Sequence, residues 1–97
     1  LITNHSVFKK GKRIYFLVYN PKGFMSDYIK LQIIKQDDNA HVGGYTRIRN
    51  ITKRVKNKNY YVDYFVLNET GKYALQVFDI VDLHKWIVFG HFRVIEE

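Results

Sequence analysis

The side chains of this sequence that could support nucleophilic catalysis are a serine, an aspartate and a histidine. Ser26 directly precedes Asp27, and a fold could bring His84 close to both. The sequence contains no glycine-flanked nucleophile, no His-Glu-x-x-His zinc motif and no phosphate-binding glycine loop. Because a trio of such common residues arises easily by chance, we expect no enzymatic activity.

Two short segments combine carboxylate, amide and imidazole groups, which are the groups that bind metal ions in proteins. They are Asp79-x-x-Asp82-x-His84 and Asp37-Asp38-Asn39-x-His41. Neither spacing matches a defined metal site. Aspartate and asparagine are also frequent turn residues, because their side chains bond to nearby backbone groups. We therefore expect no metal ion and no cofactor.

Positive charge is concentrated in one part of the chain. The chain has 16 lysines and arginines against nine acids, which gives a formal net charge of +7. The stretch from residue 39 to residue 62 contains no acid, and its basic residues are Arg47, Arg49, Lys53, Arg54, Lys56 and Lys58. In a strand, Arg47, Arg49 and Lys53 would project from one face. This face is either solvated or attracts a phosphate, a sulfated glycan or an acidic surface. We do not expect nucleic acid to be the partner.

The elements that would position these groups are predicted to be β-strands. Apolar and polar residues alternate with a period of two, and β-branched and aromatic residues are frequent. Glycine, proline, asparagine and aspartate separate the strands at intervals of about 8 to 14 residues. The predicted strands lie around 5–8, 13–19, 28–35, 45–51, 60–67, 72–78 and 86–95.

We predict an all-β fold in which about seven strands form a two-sheet antiparallel sandwich. The 97 residues fit one domain over 1–97 that needs no disulfide, and the chain has no cysteine. Strand 13–19 is apolar on both parities and is expected to be central. In strand 28–35 we expect Ile29, Leu31 and Ile33 to point inward. Since the chain starts with neither methionine nor a signal peptide, we expect a domain from a longer multidomain chain.

A glycine lies two residues before a tyrosine in the segment Glu69-Thr70-Gly71-Lys72-Tyr73-Ala74-Leu75, where a turn leads into a strand. This segment resembles the corner pattern of the immunoglobulin superfamily, with Leu75 in the position of the usual cysteine. The resemblance implies that the Tyr73 hydroxyl bonds to the backbone of the preceding turn. A buried tyrosine ring needs such a partner, and Gly71 permits the close approach of the turn. Both roles are structural.

Two other parts of the chain are similar to immunoglobulin-like modules. Residues 8–16 contain an aromatic residue, a glycine turn and an apolar strand, as at the start of many such domains. Residues 62–73 and 88–94 are similar to filamin-type repeats, although Gly90-His91-Phe92 lacks the serine and proline of their last strand. The resemblance implies an immunoglobulin-like β-sandwich of the E-set or filamin type.

The loop order of such a sandwich implies which residues meet at one end. The loops that follow the second, fourth and sixth strands gather there. This end would hold Phe24 and Met25, an apolar pair that either covers the core or forms an exposed anchor for a partner. The basic residues expected around this pair are Lys22, Lys53, Arg54, Lys56 and Lys58.

Three Asn-x-Ser/Thr sequons, the acceptor sequences for N-linked glycans, begin at Asn4, Asn50 and Asn68. They favour an extracellular, periplasmic or cell-surface location. No apolar run is long enough to cross a bilayer, so we predict no transmembrane segment.

We interpret the chain as a non-enzymatic interaction or spacer module of a multidomain surface protein, with a protein as its partner. The alternative is a module that binds a carbohydrate or another anionic ligand. In that alternative an aromatic ring would stack on the ligand and the basic face would pair with its charge. The aromatic candidates are Trp86, Tyr45 and Tyr60, and the basic candidates are Arg47, Arg49 and Lys53.

Overall fold

The computed structural model describes residues 7–36, 44–80 and 86–96, with the side chains of 86–89 outside this description. The strands are β1 (Val7–Lys9), β2 (Arg13–Tyr19), β3 (Tyr28–Gln36), β4 (Tyr45–Arg54), β5 (Tyr60–Val66), β6 (Gly71–Asp79) and β7 (Trp86–Ile95). No helix occurs within the described ranges. The predicted all-β class is confirmed, and each predicted strand overlaps one of these seven strands.

The strands form a five-stranded sheet in the order β1-β7-β6-β3-β4 and a two-stranded sheet of β2 and β5. All pairs are antiparallel except β1 and β7, which run parallel. The predicted wholly antiparallel arrangement is therefore wrong at this pair. The reason is that both strands run toward the β1–β2 turn, where the amide of Lys10 donates to the carbonyl of Ile95 at 2.8 Å.

The core lies between the inner faces of the two sheets. In β3, Ile29, Leu31 and Ile33 are buried, which confirms the predicted inward parity. The other buried members of the core cluster are Ile14, Val18, Val55, Phe65, Leu67, Tyr73, Leu75, Val77, Phe92 and Val94. Both sheets contribute to this list, so the two sheets are joined by a single apolar cluster.

The position of β2 differs from the sequence-based prediction. Among the described strands β2 pairs with β5 alone, so it is not a central strand. Its two parities have different environments, because Ile14 and Val18 are buried whereas Tyr15 and Leu17 are exposed. The sheet is this narrow because β4 pairs with β3 in the other sheet. In β2, apolar residues on both parities therefore correspond to one buried face and one exposed apolar face.

A β-bulge at Ile48 divides the basic residues of β4. The register pairs Arg49 with Ile33 and Arg47 with the next residue of β3, so Ile48 has no opposite residue. Because consecutive residues of β3 point to opposite faces, so do their two partners. The prediction that Arg47 shares a face with Arg49 and Lys53 is therefore wrong for Arg47, which lies on the outer face of the larger sheet.

The Gly71-Lys72-Tyr73 corner has the hydrogen bond that the sequence predicts. Tyr73 is 3% exposed, and its hydroxyl donates to the carbonyl of Glu69 at 2.6 Å. Its ring stacks on Phe92 with a centroid distance of 5.5 Å and an interplanar angle of 12°. Gly71 has a φ of +156°, which residues with a Cβ rarely adopt. The corner thus holds the β5–β6 turn against the end of the core.

Candidate interaction surface

The outer face of the two-stranded sheet is covered by exposed tyrosine and aliphatic side chains. Directly opposed residues of antiparallel strands point to the same face. The opposed pairs on this face are Tyr15 and Tyr64, Leu17 and Val62, and Tyr19 and Tyr60. We call these six residues the tyrosine face. Their exposed fractions lie between 43% and 62%.

The tyrosine face is unusual for a strand surface in contact with water. The solvated face of an antiparallel sheet normally carries polar and charged side chains, and none of these six residues is charged. With each half-exposed tyrosine contributing about 100 Å², and Leu17 and Val62 together about 100 Å² more, the patch amounts to roughly 500 Å². A patch of this size is comparable to the largest apolar patches of soluble monomers, which are often binding sites.

Aromatic and cationic contacts hold one end of the tyrosine face in place. The rings of Tyr15 and Tyr64 lie 5.5 Å apart and are inclined by 49°. The guanidinium of Arg13 lies 4.6 Å from the centroid of the Tyr64 ring and donates a hydrogen bond to the Tyr15 hydroxyl at 3.4 Å. A cation over a ring face is attracted by the ring quadrupole. This end therefore presents inclined ring edges and a fixed positive charge.

The other end of the tyrosine face adjoins two loops that contact each other. The amide of Asn20 donates to the carbonyl of Asn59 at 2.8 Å, and the amide of Phe24 donates to the carbonyl of Lys58 at 3.4 Å. The predicted meeting of the β2–β3 and β4–β5 loops is thus present. The exposed basic residues of these loops are Lys22, Lys56 and Lys58.

The two members of the predicted apolar pair have different positions. Phe24 is half-buried and packs against the core cluster, as expected of a residue that covers the core. Met25 is 81% exposed, as expected of an anchor. Phe24 thus covers the core, and Met25 is exposed, as the anchor alternative requires.

A buried carboxylate anchors the loop that carries Met25. Asp79 is 6% exposed. Its Oδ2 accepts the backbone N–H of Met25 at 2.7 Å, and its Oδ1 accepts the hydroxyl of Ser26 at 2.6 Å. Ser26 thus contacts Asp79, whereas the adjacent Asp27 is exposed. This geometry gives Asp79 and Ser26 a structural role in the β2–β3 loop.

The remaining members of the metal and catalytic candidates lie outside the described residues. These are Asp37, Asp38, Asn39, His41, Asp82 and His84. Within the ranges that the structure describes, no group of three or more histidine, cysteine, aspartate or glutamate side chains could hold a metal ion.

One predicted basic residue, Arg49, is engaged within the chain at the edge of β5 that faces away from β2. Arg49 is half-buried, and its guanidinium donates to the carbonyl of Val66 at 2.8 Å. Asp63 lies on the same side, where its carboxylate accepts the backbone N–H of Tyr64 at 2.8 Å. Both backbone groups belong to the edge of β5 that faces away from β2, because alternate residues of a strand direct their groups to the same edge. Side chains thus cover an edge that could otherwise pair with another strand.

The Asp63 carboxylate also accepts the hydroxyl of Tyr61. The bonds from Tyr61 and Tyr64 lower the pKa of Asp63, and the positive charge of Lys53 lowers it further. Burial and this carboxylate raise the pKa of Tyr61, which therefore stays protonated and remains a donor. Lys53, Tyr61 and Asp63 thus form a cluster of polar side chains between β4 and β5.

Asp63 gives the protein a predicted pH dependence. Because its folded pKa lies below the unfolded value of about 3.9, Asp63 stabilises the fold above that pH, and the contribution is lost as the pH falls through the folded value. We expect Asp63→Asn to lower the free energy of unfolding at pH 7 by roughly 0.5 to 1 kcal/mol, since the group is partly solvated. Urea unfolding at pH 7 and pH 3 should show a smaller difference in the variant than in the wild type. Asp27→Asn, at an exposed carboxylate, is the control, and an equal acid sensitivity of wild type and Asp63→Asn would contradict the assignment.

A cavity of 610 Å³ lies beside the β5–β6 turn, and its lining includes Lys35, Arg49, Gly71 and Tyr73. Two of its three cations have partners within the chain, and the third, Lys72, is exposed. Lys35 forms an ion pair with Glu69, and Arg49 donates to a β5 carbonyl. Most of the positive charge at this cavity is thus engaged within the chain.

The structure disperses the other predicted site residues. Arg54 is exposed and lies opposite Tyr28, one residue beyond the inward-facing Lys53. Tyr45 is exposed at the start of β4, and Tyr60 belongs to the tyrosine face. The Trp86 side chain lies outside the described residues. The predicted basic and aromatic candidates therefore do not form one site.

Most of the tyrosine face was missed by sequence reasoning. The residues that it did not identify are Tyr15, Leu17, Tyr19, Val62 and Tyr64. The signal was present, since β2 and β5 each carry apolar or aromatic residues on both parities. What the sequence lacks is an indication that only one of the two faces is covered.

A scan of the chain against protein-family models finds no match, and a search of curated proteins finds none either. In the described part of the chain, no helix is both long and apolar enough to cross a membrane. The fold defines an all-β protein with sheets of five and two strands, and its most distinctive surface is the tyrosine face.

Proposed function

We propose that this chain is a non-enzymatic interaction module with an immunoglobulin-like sandwich fold, and that it binds a protein partner through the tyrosine face. The tyrosine face is the observation that carries the proposal. Buried tyrosine and other aromatic side chains dominate the binding energy of many protein interfaces, and charged residues are depleted from interface centres. The tyrosine face is likewise rich in aromatic side chains and has no charged residue among its six members.

Two features support the immunoglobulin-like fold. The Tyr73 hydroxyl bonds to the turn that precedes its strand, which is the bond implied by the corner pattern. The β2–β5 sheet also packs over β3, β6 and β7 around a single core. In the proposed fold the module would be one unit of a longer surface protein.

An extracellular, periplasmic or cell-surface location is part of the proposal. Asn50 and Asn68, which begin two of the three sequons, are exposed and accessible to a modifying enzyme. This accessibility supports the location.

The arrangement of the side chains supports a carbohydrate or anion-binding module less well. Arg49 and Lys53 face the polar group between β4 and β5, while Arg47 lies on the opposite face. The tyrosine rings at the Arg13 end are inclined to each other, so they do not offer a flat platform to a sugar. A protein surface, which adapts to ring edges, fits this shape better.

Selection of binders from a naive phage-displayed peptide library tests the proposed function, because the partner does not need to be known. We expect the selected peptides to lose at least tenfold in affinity for Leu17→Asp, since this change places a carboxylate at the centre of the tyrosine face. Val7→Asp is the matched control, because Val7 is also 49% exposed but lies on β1 of the other sheet. Equal urea midpoints of the two variants would establish that folding is unaffected.

Binders that tolerate Leu17→Asp, or a selection that enriches none, would contradict the proposal. A glycan array with a signal that Tyr60→Ser abolishes and Tyr45→Ser leaves intact would establish the alternative instead.

A further inference from the structure

We infer, on the basis of the proposed function, that the tyrosine face binds an acidic polypeptide segment in which apolar side chains are flanked by carboxylates. The inference begins with the charges at the two ends of the face. Arg13 lies at one end, opposite Val66. Lys22 and Lys58 lie in the loops at the other end.

Among the residues that the structure describes, these cations have no carboxylate partner. Arg13 contacts the uncharged Tyr15 and Tyr64. In the described ranges, no carboxylate forms an ion pair with Arg13, Lys22 or Lys58. The loops 20–27 and 55–59 contain one acid, the exposed Asp27, against the three lysines Lys22, Lys56 and Lys58. In the described part of the chain, both ends of the face therefore carry more positive than negative charge.

The distance between the two ends sets the size of the segment. Arg13 and Tyr19 are six residues apart on β2, which at 3.4 Å per residue corresponds to roughly 20 Å. An extended peptide of about seven residues, or about four turns of helix, covers this length. Its central residues would meet Leu17 and Val62, and acids near its ends would meet the cations.

A second copy of this chain is a poorer fit to the same face. The chain has a formal net charge of +7, and the only acid among the face and the loops 20–27 and 55–59 is Asp27. Two copies packed through this face would bring together four cations and one carboxylate from each copy, and an excess of like charge of this kind disfavours association.

Single-stranded nucleic acid is also a poorer fit. Proteins that bind it combine stacking rings with a row of cations that follows the phosphates along the strand. Here the cations are confined to the ends, and Leu17 and Val62 occupy the centre. Arg13 already covers one face of the Tyr64 ring.

Three synthetic peptide libraries test the inference. Each has a random apolar and aromatic centre of five residues, with flanks of three residues that are all acidic, all basic or all serine. We expect the acidic-flank library alone to yield binders. Their affinity should fall at least threefold between 50 and 150 mM salt, because screening reduces the attraction of the terminal charges.

Charge reversal provides the matched variants. Arg13→Glu combined with Lys58→Glu should shift the selection to the basic-flank library. Lys72→Glu combined with Arg93→Glu changes the net charge equally but lies on the far sheet, where the two residues are opposed and exposed. This control should keep the preference for acidic flanks.

The outcomes separate this inference from the proposed function. Binders from the serine or basic library that are lost with Leu17→Asp would overturn the acidic partner and leave the tyrosine face as the binding surface. Binding of a thymidine oligonucleotide that Leu17→Asp abolishes, or a dimer in sedimentation that the same variant dissociates, would overturn the acidic polypeptide as the partner. If both double variants abolished the preference for acidic flanks equally, the preference would reflect the net charge of the protein. This result would also overturn the inference of an acidic partner at the tyrosine face.

Discussion

Tyr73→Ala is expected to lower the free energy of unfolding by about 3 to 5 kcal/mol, the cost of removing a large buried ring from a core. The ring is 3% exposed and stacks on Phe92, so its removal leaves a cavity beside that ring. The carbonyl of Glu69 also loses its donor. For a domain of this size a loss of 3 kcal/mol corresponds to a decrease in Tm of at least about 12 °C. Calorimetry and urea unfolding measure both quantities.

Two variants separate the ring from the hydroxyl. Tyr73→Phe keeps the ring and should cost about 1 to 2 kcal/mol, because a carbonyl near the core is left without its partner. Tyr45→Ala, at an exposed tyrosine of β4, should change stability by less than about 0.5 kcal/mol. If Tyr73→Phe were as stable as the wild type, the hydrogen bond would not contribute to the corner.

Asp79→Ala is expected to cost about 2 to 4 kcal/mol, because it removes a buried acceptor, leaves the Met25 N–H without its partner and leaves the Ser26 hydroxyl with the Tyr28 carbonyl alone. The N–H of Met25 and the hydroxyl of Ser26 both donate to this carboxylate. Loss of these bonds should also release the β2–β3 loop. Urea unfolding gives the stability, and hydrogen exchange of the Met25 amide reports on the loop.

A double-mutant cycle tests the pairing of Asp79 with Ser26. We expect Ser26→Ala to cost about 1 kcal/mol alone and to add little in the Asp79→Ala background, with a coupling of about 1 kcal/mol. Met25→Ala, at a side chain that is 81% exposed, is the control for a general effect of loop mutations. Strictly additive effects of the two changes would show that the two side chains do not act together.

The strands and their inward parities could be predicted from the sequence because their causes are local. Turn residues mark where strands end, and the period of two shows which side chains share a face. The period of two alone predicts that Ile29, Leu31 and Ile33 point inward, and they are buried. The Tyr73 hydroxyl bond is also local, since its acceptor lies four residues earlier in the chain.

The arrangement of the strands could not be predicted because it depends on non-local pairing. The parallel pairing of β1 with β7 depends on where the two segments meet in the fold. Neither the residues of β1 nor those of β7 indicate this pairing. The bulge at Ile48 reverses the face of Arg47, although the spacing of Arg47 and Arg49 indicates a shared face. A single extra residue in one strand is therefore enough to separate a predicted basic patch.

The candidate site illustrates the same limit. The sequence shows that residues 15, 17 and 19 share a face, but it does not show which sheet β4 joins. If β4 had paired with β5, the smaller sheet would be wider and the edge groups of Val66 and Tyr64 would be bonded within the sheet. Instead Arg49 and Asp63 cover these groups. The tyrosine face next to this edge is two strands wide and exposed. Arg49 and Asp63 bond to the backbone groups along its border.

Hydroxyl-radical footprinting of the isolated domain, read out for each tyrosine by mass spectrometry, tests the central claim most directly. We predict fast modification of Tyr15, Tyr19, Tyr60 and Tyr64 and at least tenfold slower modification of Tyr73. A peptide with acidic flanks that binds the domain should protect the four fast residues and leave Tyr45 unchanged. Modification of those four residues as slow as that of Tyr73 in the free domain, or no protection by a bound peptide, would contradict a tyrosine face that is exposed and binds the partner.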